Sequence, residues 1–149
     1  EFDPEIARQA HEQARTCLAD PSVIALLARP DSPCELWREK SFEILIEGEW
    51  LSGTFDRVVI ERDEDGAAVR ARIVDFKTDR IATSEDAEAG SATASRHSLE
   101  AAVSKYRPQL DTYRAVLARL LGLPTEQIET ALLFTRIPEV VTIPETPHP

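Results

Sequence analysis

Three runs of β-forming residues follow one another in the middle of the chain, and they constrain its fold more than any other feature. They span about residues 36–47, 49–62 and 69–77, and apolar and polar residues alternate most clearly in the first. Gly48 separates the first two runs, and the turn-forming cluster 63–66 separates the last two. Short turns between β-rich runs predict hairpins, so the last two runs are expected to pair antiparallel.

Helical patterns flank these strands on both sides. Helices are predicted at residues 3–19, 22–28 and 99–121, and further strands at 129–136 and 140–143. The buried stripe of the third helix is predicted to be Leu110, Tyr113, Leu117, Leu120 and Leu121. A break is expected before Pro108, because proline is tolerated only near a first turn. A helix between the third and fourth strands predicts a crossover, and therefore an α/β domain with a mixed central sheet flanked by helices.

The length of 149 residues suits one domain, spanning 1–149. Residues 83–98 are rich in small and polar residues and are predicted to form a flexible loop. Residues 144–149 are predicted to be an unstructured tail. Because the chain lacks an initiator methionine and begins with Glu1-Phe2, which resembles a cloning scar, we expect it to be a fragment of a longer protein.

Composition narrows the function classes. Lys and Arg number 17 against 27 Asp and Glu, giving a formal charge of −10. This charge argues against nucleic-acid binding over the whole surface, although a local basic groove stays open. Cys17 and Cys34 form no CxxC pair and are expected to be reduced thiols. No apolar run has the length of a membrane span and no signal peptide is recognised, so a cytoplasmic location is expected.

The third strand ends in Asp75-Phe76-Lys77, and alternate residues of a strand share one face. With the turn at 63–66, Asp56 is predicted to lie opposite Ile73, one diagonal step of about 7–8 Å from Asp75. Two carboxylates and an ammonium group suit a divalent cation with a water or phosphate beside it. The pattern therefore indicates a metal-dependent phosphodiesterase, with a surface ion pair as the alternative for an isolated D-x-K.

Gln109 and Tyr113 are four residues apart and so lie on one face of the third helix. Tyr106 would share that face if the helix is continuous. These groups could hydrogen-bond phosphates or orient the lysine. The alternative, from spacing alone, is a core tyrosine beside a solvated glutamine.

The ordered motifs resemble the RecB-type nuclease domain of the PD-(D/E)xK superfamily, over roughly residues 37–143. They are Glu39-x-x-Phe42, Gly53-x-x-Asp56-Arg57, Asp75-Phe76-Lys77-Thr78 and Tyr106-x-x-Gln109-Leu110-x-x-Tyr113. Such a domain is usually the C-terminal module of helicase–nucleases that process double-strand breaks. The resemblance implies a restriction-endonuclease-like fold. It also implies DNA as substrate, with a helicase domain of the same chain and a second subunit as partners.

The resemblance also implies roles for individual residues. Asp56, Asp75 and the backbone carbonyl of Phe76 would ligate Mg²⁺ or Mn²⁺. Lys77 would position the attacking water and stabilise transition-state charge. Gln109, Tyr113 and Tyr106 would support the site and contact DNA.

The chain departs from the family pattern at its histidine. Family members usually carry a metal-ligating histidine in a G-x-x-x-H context, whereas His11 is preceded by Ala7. The ligand is therefore expected upstream of this sequence, with His11 exposed, and the chain by itself is expected to cut weakly or not at all. No cysteine follows Cys34, so the branch with an iron–sulfur cluster is excluded. The rivals are a catalytically silent nuclease-like module that binds DNA or a subunit, and a structural domain with chance motifs.

Overall fold

The computed structural model of the chain describes residues 3–79 and 92–145. Its elements are α1 (Pro4–Ala19), α2 (Pro21–Leu27), β1 (Cys34–Ile46), β2 (Glu49–Arg62), β3 (Ala68–Lys77), α3 (Ala92–Leu121), β4 (Ile128–Phe134) and β5 (Glu139–Ile143). The strands form one mixed sheet in the order β1-β2-β3-β4-β5. Because β3 and β4 are neighbours although α3 separates them in sequence, their connection is the predicted crossover. The predicted α/β fold is confirmed.

Aspartates cap the two N-terminal helices. The Asp3 carboxylate accepts the N–H of Glu5 at 2.9 Å, and a proline occupies the first turn. The Asp20 carboxylate accepts the N–H of Ser22 at 2.8 Å, and Pro21 follows it. These are the N-cap and first-turn residues that helices prefer, because they satisfy backbone donors that have no partner within the helix. No helix in the described ranges has the length and apolar character needed to cross a membrane.

By contact density the chain divides into two compact units. One comprises Arg29–Asp75, Tyr106–Leu132 and Thr142–Pro149, and the other Glu1–Ala28, Phe76–Lys105 and Leu133–Val141. The core of the first unit joins one face of β1–β3 to α3. Its buried members are Phe42, Phe55, Val58, Ile60, Ala71, Ile73, Val116, Leu117, Ala118 and Ile128. In the second unit the buried residues include Cys17, Val23, Leu26, Leu133 and Phe134.

Helix α3 corrects three predictions. It runs through Pro108 without a break, and it begins at Ala92, so the last part of the predicted loop 83–98 is helical. Residues 80–91 lie outside the described part of the chain. Alanine-rich polar sequence lacks apolar residues to bury but still favours a helix, which is why composition alone misled here. Leu120, predicted to be buried, is 45% exposed, whereas Val116 is fully buried.

The proline within α3 leads to a stability prediction. Pro108 removes a helical N–H and places its ring against the preceding turn, which costs about 3 kcal/mol in a helix interior. Replacing Pro108 by alanine removes this cost, but it also gives the unfolded chain more conformational freedom, which offsets about 1 kcal/mol of the gain. We therefore expect Pro108→Ala to raise the free energy of unfolding by about 2 kcal/mol, measured by urea denaturation. Pro124→Ala, outside any α-helix, is the matched control and should give no such gain.

At the other end of the chain, Pro144 and Glu145 follow β5 without regular structure. The remaining residues of the predicted tail, 146–149, lie outside the described part.

A two-residue turn joins β1 to β2. Glu47 and Gly48 both have positive φ, 51° and 87°, and the flanking residues Ile46 and Glu49 are paired. Two successive positive φ values characterise the type I′ turn, whose twist matches that of the strands. Glycine adopts this conformation freely, but a glutamate there carries a steric cost.

This cost predicts a stabilising substitution. Asparagine is preferred at the first position of such turns, so Glu47→Asn should raise the free energy of unfolding by about 0.5–1 kcal/mol. The change would appear as a higher midpoint in chemical denaturation. Glu49→Asn removes the same charge from an extended position and should not stabilise; an equal gain there would mean that charge, not backbone conformation, is responsible.

Candidate active site

Asp56 and Asp75 lie at the same level of the β2–β3 hairpin. The strands are antiparallel, and their last paired residues toward this end are Arg57 and Val74. One further step in the same register brings Asp56 opposite Asp75. Directly opposed residues in an antiparallel pair have Cα atoms about 4.5–5.5 Å apart. Continued by that one step, the register sets Asp56 level with Asp75, where the sequence had predicted a diagonal arrangement.

The predicted register was wrong by two residues. Ile73, expected opposite Asp56, pairs with Val58. The turn is longer than the cluster read from the sequence, because the Asp63 N–H donates to the Ala67 carbonyl at 3.0 Å and the Asp63 carboxylate accepts the Ala67 N–H at 2.8 Å. A further irregularity in the pairing just before this turn accounts for the rest of the shift.

The D-x-K segment forms the end of β3. Asp75 is 3% exposed, Phe76 is 37% exposed and Lys77 is half-buried. Alternation along the strand places Asp75 and Lys77 on one face and Phe76 on the other, as predicted. A buried carboxylate at a strand end is uncommon, because burying a charge is costly unless it is paired or coordinated.

Two residues without a predicted role hold the backbone at this strand end. Thr135 donates its N–H to the Lys77 carbonyl at 2.9 Å, and its hydroxyl lies 3.4 Å from the same oxygen. Gln13 of α1 donates to the Thr135 hydroxyl at 3.1 Å. These bonds fix the backbone from which the Lys77 side chain projects. A threonine just beyond a buried strand carries no distinctive sequence signal, which is why it was missed.

Gln109 and Tyr113 interact directly on α3. The Gln109 amide donates to the Tyr113 hydroxyl at 3.1 Å, so the predicted shared face is confirmed. Tyr106 lies on the same continuous helix and is half-buried. Gln109 and Tyr113 therefore place an amide and a phenol next to each other on one turn of the helix.

Aromatic packing fixes Tyr113 against the sheet. Its ring lies edge-on to Phe42 and Phe55, with centroids 5.7 and 5.3 Å away. Gly53 makes this possible, because a Cβ there would lie 2.7 Å from the Phe42 ring and 3.4 Å from the Tyr113 ring. The absence of a side chain at Gly53 thus allows the close approach of these two rings.

Glu39 has an unusual backbone conformation next to Asp56. Its φ is 47°, in the left-handed region that non-glycine residues rarely adopt. The ladder pairs Arg38 with Arg57 and Lys40 with Phe55, so Glu39 occupies the step opposite Asp56. Strained residues cluster at functional sites, and the sequence offered no signal for this one beyond its place in a motif.

Basic residues are concentrated beside Asp56. Arg38 and Arg57 are directly opposed on β1 and β2. Burial lowers the pKa of Arg57, and the charges of Arg38 and Arg29 lower it further. A local concentration of positive charge therefore exists in a chain of net charge −10.

Residues 2–146 match the profile of the PD-(D/E)XK nuclease superfamily, which is nearly the whole chain. The chain belongs to this superfamily. No curated protein matches the chain significantly. Members of the PD-(D/E)XK superfamily are generally nucleases that use divalent metal ions, so nucleic-acid hydrolysis is the activity that membership suggests.

The possible metal ligands of this PD-(D/E)XK chain are of the type that a divalent cation prefers, but there are few of them. Carboxylate and carbonyl oxygens are the ligands that Mg²⁺ and Mn²⁺ prefer, and Asp56 and Asp75 supply the carboxylates. Among the described residues, however, no three or more His, Cys, Asp and Glu side chains are arranged to hold a metal ion. Mg²⁺ is commonly bound by one or two protein carboxylates, with waters and substrate phosphates as its other ligands. Two carboxylates are therefore enough protein ligands for this ion.

The other sequence-predicted candidates lie as follows. His11 is exposed on α1, as expected. Cys17 and Cys34 are free thiols, also as expected. Burial raises the pKa of the Cys17 thiol, with a smaller contribution from the charge of Asp20. Cys17 is 4% exposed and belongs to the buried residues of its unit.

Proposed function

We propose that this chain is the metal-dependent deoxyribonuclease domain of a RecB-type helicase–nuclease. The observation that carries the proposal is the register of β2 and β3, in which Arg57 pairs with Val74, the sequence neighbours of Asp56 and Asp75, while β3 ends in Lys77. The family membership supports it, because this is the superfamily that uses a D-x-K strand end. The motif set of the RecB-type branch supports the finer assignment.

The proposed site residues act together on one phosphodiester. Asp56, Asp75 and the Phe76 carbonyl would hold Mg²⁺ or Mn²⁺, which polarises the scissile phosphate and favours ionisation of a water. Lys77 would hold the attacking water and offset the negative charge that develops on the phosphate oxygens. Gln109 would orient the Tyr113 hydroxyl through their hydrogen bond, and Tyr106 would contact the DNA backbone.

The proposed biological setting follows from the same resemblance. DNA is the proposed substrate, and Arg38 and Arg57 supply local positive charge for its phosphates. We place the chain as one nuclease domain within a longer protein whose helicase domain delivers the strand during double-strand break repair.

A second candidate is a catalytically silent module that binds DNA or a subunit. One observation favours it: the described residues contain no group of three or more metal-ligating side chains. The retained Asp56, Asp75 and Lys77 favour the active form.

A cleavage assay distinguishes the two. The natural protein that contains this chain is incubated with end-labelled linear and with circular DNA, with Mg²⁺, with Mn²⁺ or with a chelator. Metal-dependent cleavage that falls about a hundredfold in Lys77→Met supports the nuclease, since positioned proton-transfer or charge-stabilising groups contribute at least this much. Arg8→Met, which removes a cation from the exposed face of α1, is the control.

DNA binding without cleavage under every metal condition would establish the silent module. Cleavage by Lys77→Met at the rate of Arg8→Met would refute the proposed site while leaving a nuclease elsewhere in the protein.

A further inference from the structure

Two large apolar side chains are exposed together near the tip of the β1–β2 hairpin. Leu45 and Trp50 are directly opposed in the ladder, and they are 52% and 75% exposed. The adjacent pair, Ile44 and Leu51, points to the other face and packs against the core. Leu45 and Trp50 are therefore left exposed, within the described part of the chain, by the same alternation that buries their neighbours.

A groove lies beside this pair. It has a volume of about 610 Å³; Leu45, Ile46 and Glu47 line its hairpin side, and Ala115, Ala118, Arg119 and Leu123 line its other side. Apolar side chains thus line both sides of an open channel that Leu45 borders, together with one carboxylate and one guanidinium group. This arrangement resembles the grooves that accept the apolar face of an amphipathic helix.

The charge around the pair limits what can dock there. Glu43, Glu47 and Glu49 are exposed around it, and residues 43–52 contain no lysine or arginine, so these carboxylates outnumber Arg119, the one cation that lines the groove. Carboxylates repel nucleic-acid phosphates. A second copy of this chain would bring the same carboxylates and a further net charge of −10. Complementarity therefore favours a positively charged partner.

We propose that the Leu45–Trp50 surface docks a basic amphipathic helix of a partner protein or domain. Its apolar face would cover Trp50 and Leu45, and its cations would face Glu47 and Glu49. The proposal is independent of the nuclease function.

The test uses Trp50 as its own reporter. The chain contains two tryptophans, so Trp37→Phe leaves Trp50 as the single emitter. The probe is a synthetic amphipathic helical peptide about two heptads long, with leucine on one face and lysine on the other. Binding should shift Trp50 emission to the blue and protect it from acrylamide. A leucine–glutamate peptide should do neither.

Variants separate docking from general attraction to an acidic protein. Trp50→Ser should weaken binding of the labelled leucine–lysine peptide about tenfold or more in anisotropy, because buried tryptophans dominate interface energetics. Ile6→Ser, at an exposed apolar position of α1, is the matched control and should bind as the parent does. Glu47→Asn should weaken peptide binding while raising the unfolding midpoint. The loss of affinity in this variant therefore cannot come from unfolding.

Three results would overturn the proposal. They are equal affinity of Trp50→Ser and Ile6→Ser for the peptide, protection of Trp50 by a single-stranded oligonucleotide, and a dimer in sedimentation that Trp50→Ser dissociates.

Discussion

Asp75→Asn is expected to lower the rate of metal-dependent DNA cleavage by about a thousandfold or more. That factor corresponds to about 4 kcal/mol of transition-state stabilisation, the scale on which enzymes lose a single preorganised electrostatic group. Asparagine preserves the shape of the side chain but removes the charge opposite Asp56. The measurement is the single-turnover rate on linear duplex DNA, at protein concentrations above those of the ends.

A metal-binding readout makes the result specific. A ligand at about one hundred times its dissociation constant stabilises a protein by about 2.7 kcal/mol, so Mn²⁺ should raise the unfolding midpoint of the parent protein and leave Asp75→Asn unchanged. Asp65→Asn makes the same change in the exposed turn at the other end of this hairpin and should behave as the parent. If Asp75→Asn cleaves DNA at the rate of the parent protein, Asp75 takes no part in the reaction.

The hairpins and the site strand could be predicted because their signals are local. Alternating apolar residues and a glycine turn define β1 and β2 within a few residues of sequence, and β2 spans Glu49–Arg62 as predicted. The shared face of Gln109 and Tyr113 follows from helical spacing alone, and their hydrogen bond confirms it.

The level of Asp56 relative to Asp75 could not be predicted, because it depends on the exact length of one turn. Composition marks a turn near Asp63 but does not fix whether Ala67 closes it, and each residue added there shifts every pair along the hairpin. The close packing at Gly53 was also beyond local reasoning, since Phe42 and Tyr113 approach it from distant parts of the sequence.

Arg114 is the clearest example of a residue whose surroundings local sequence patterns cannot predict. It occupies the helical stripe between Leu110 and Leu117, where a charged residue would ordinarily be read as solvated. It is instead 3% exposed. Apart from Asp111 on the same helix, the groups that satisfy it belong to β4 and β5, and no helical pattern could indicate those.

Arg114→Met is expected to lower the free energy of unfolding by about 3–5 kcal/mol, the usual cost of removing one member of a buried charged network. The guanidinium donates to the Ile128 carbonyl at 3.2 Å, the Thr130 hydroxyl at 2.7 Å and the Ile143 carbonyl at 2.7 Å. It also pairs with Asp111 at 3.1 Å. Methionine fills similar volume but leaves the Ile128 carbonyl and the Thr130 hydroxyl without the guanidinium donor.

The size of this loss can be read in thermal unfolding. At about 2–4 °C per kcal/mol for a chain near this length, the midpoint should fall by roughly 6–20 °C. Arg114→Lys keeps the charge but not the planar fork that reaches both strands, so it should recover only part of the loss.

A double-mutant cycle assigns the loss to the network and not to the altered volume of the side chain. Thr130→Val removes one of the acceptors left unpaired, and its hydroxyl also donates to the Ile143 carbonyl at 3.1 Å. The combined Arg114→Met and Thr130→Val protein should therefore be more stable than the sum of the single changes allows, by about 0.5–3 kcal/mol. Strict additivity, with Arg114→Met melting within a degree of the parent, would mean that α3 is held to β4 and β5 by apolar packing alone.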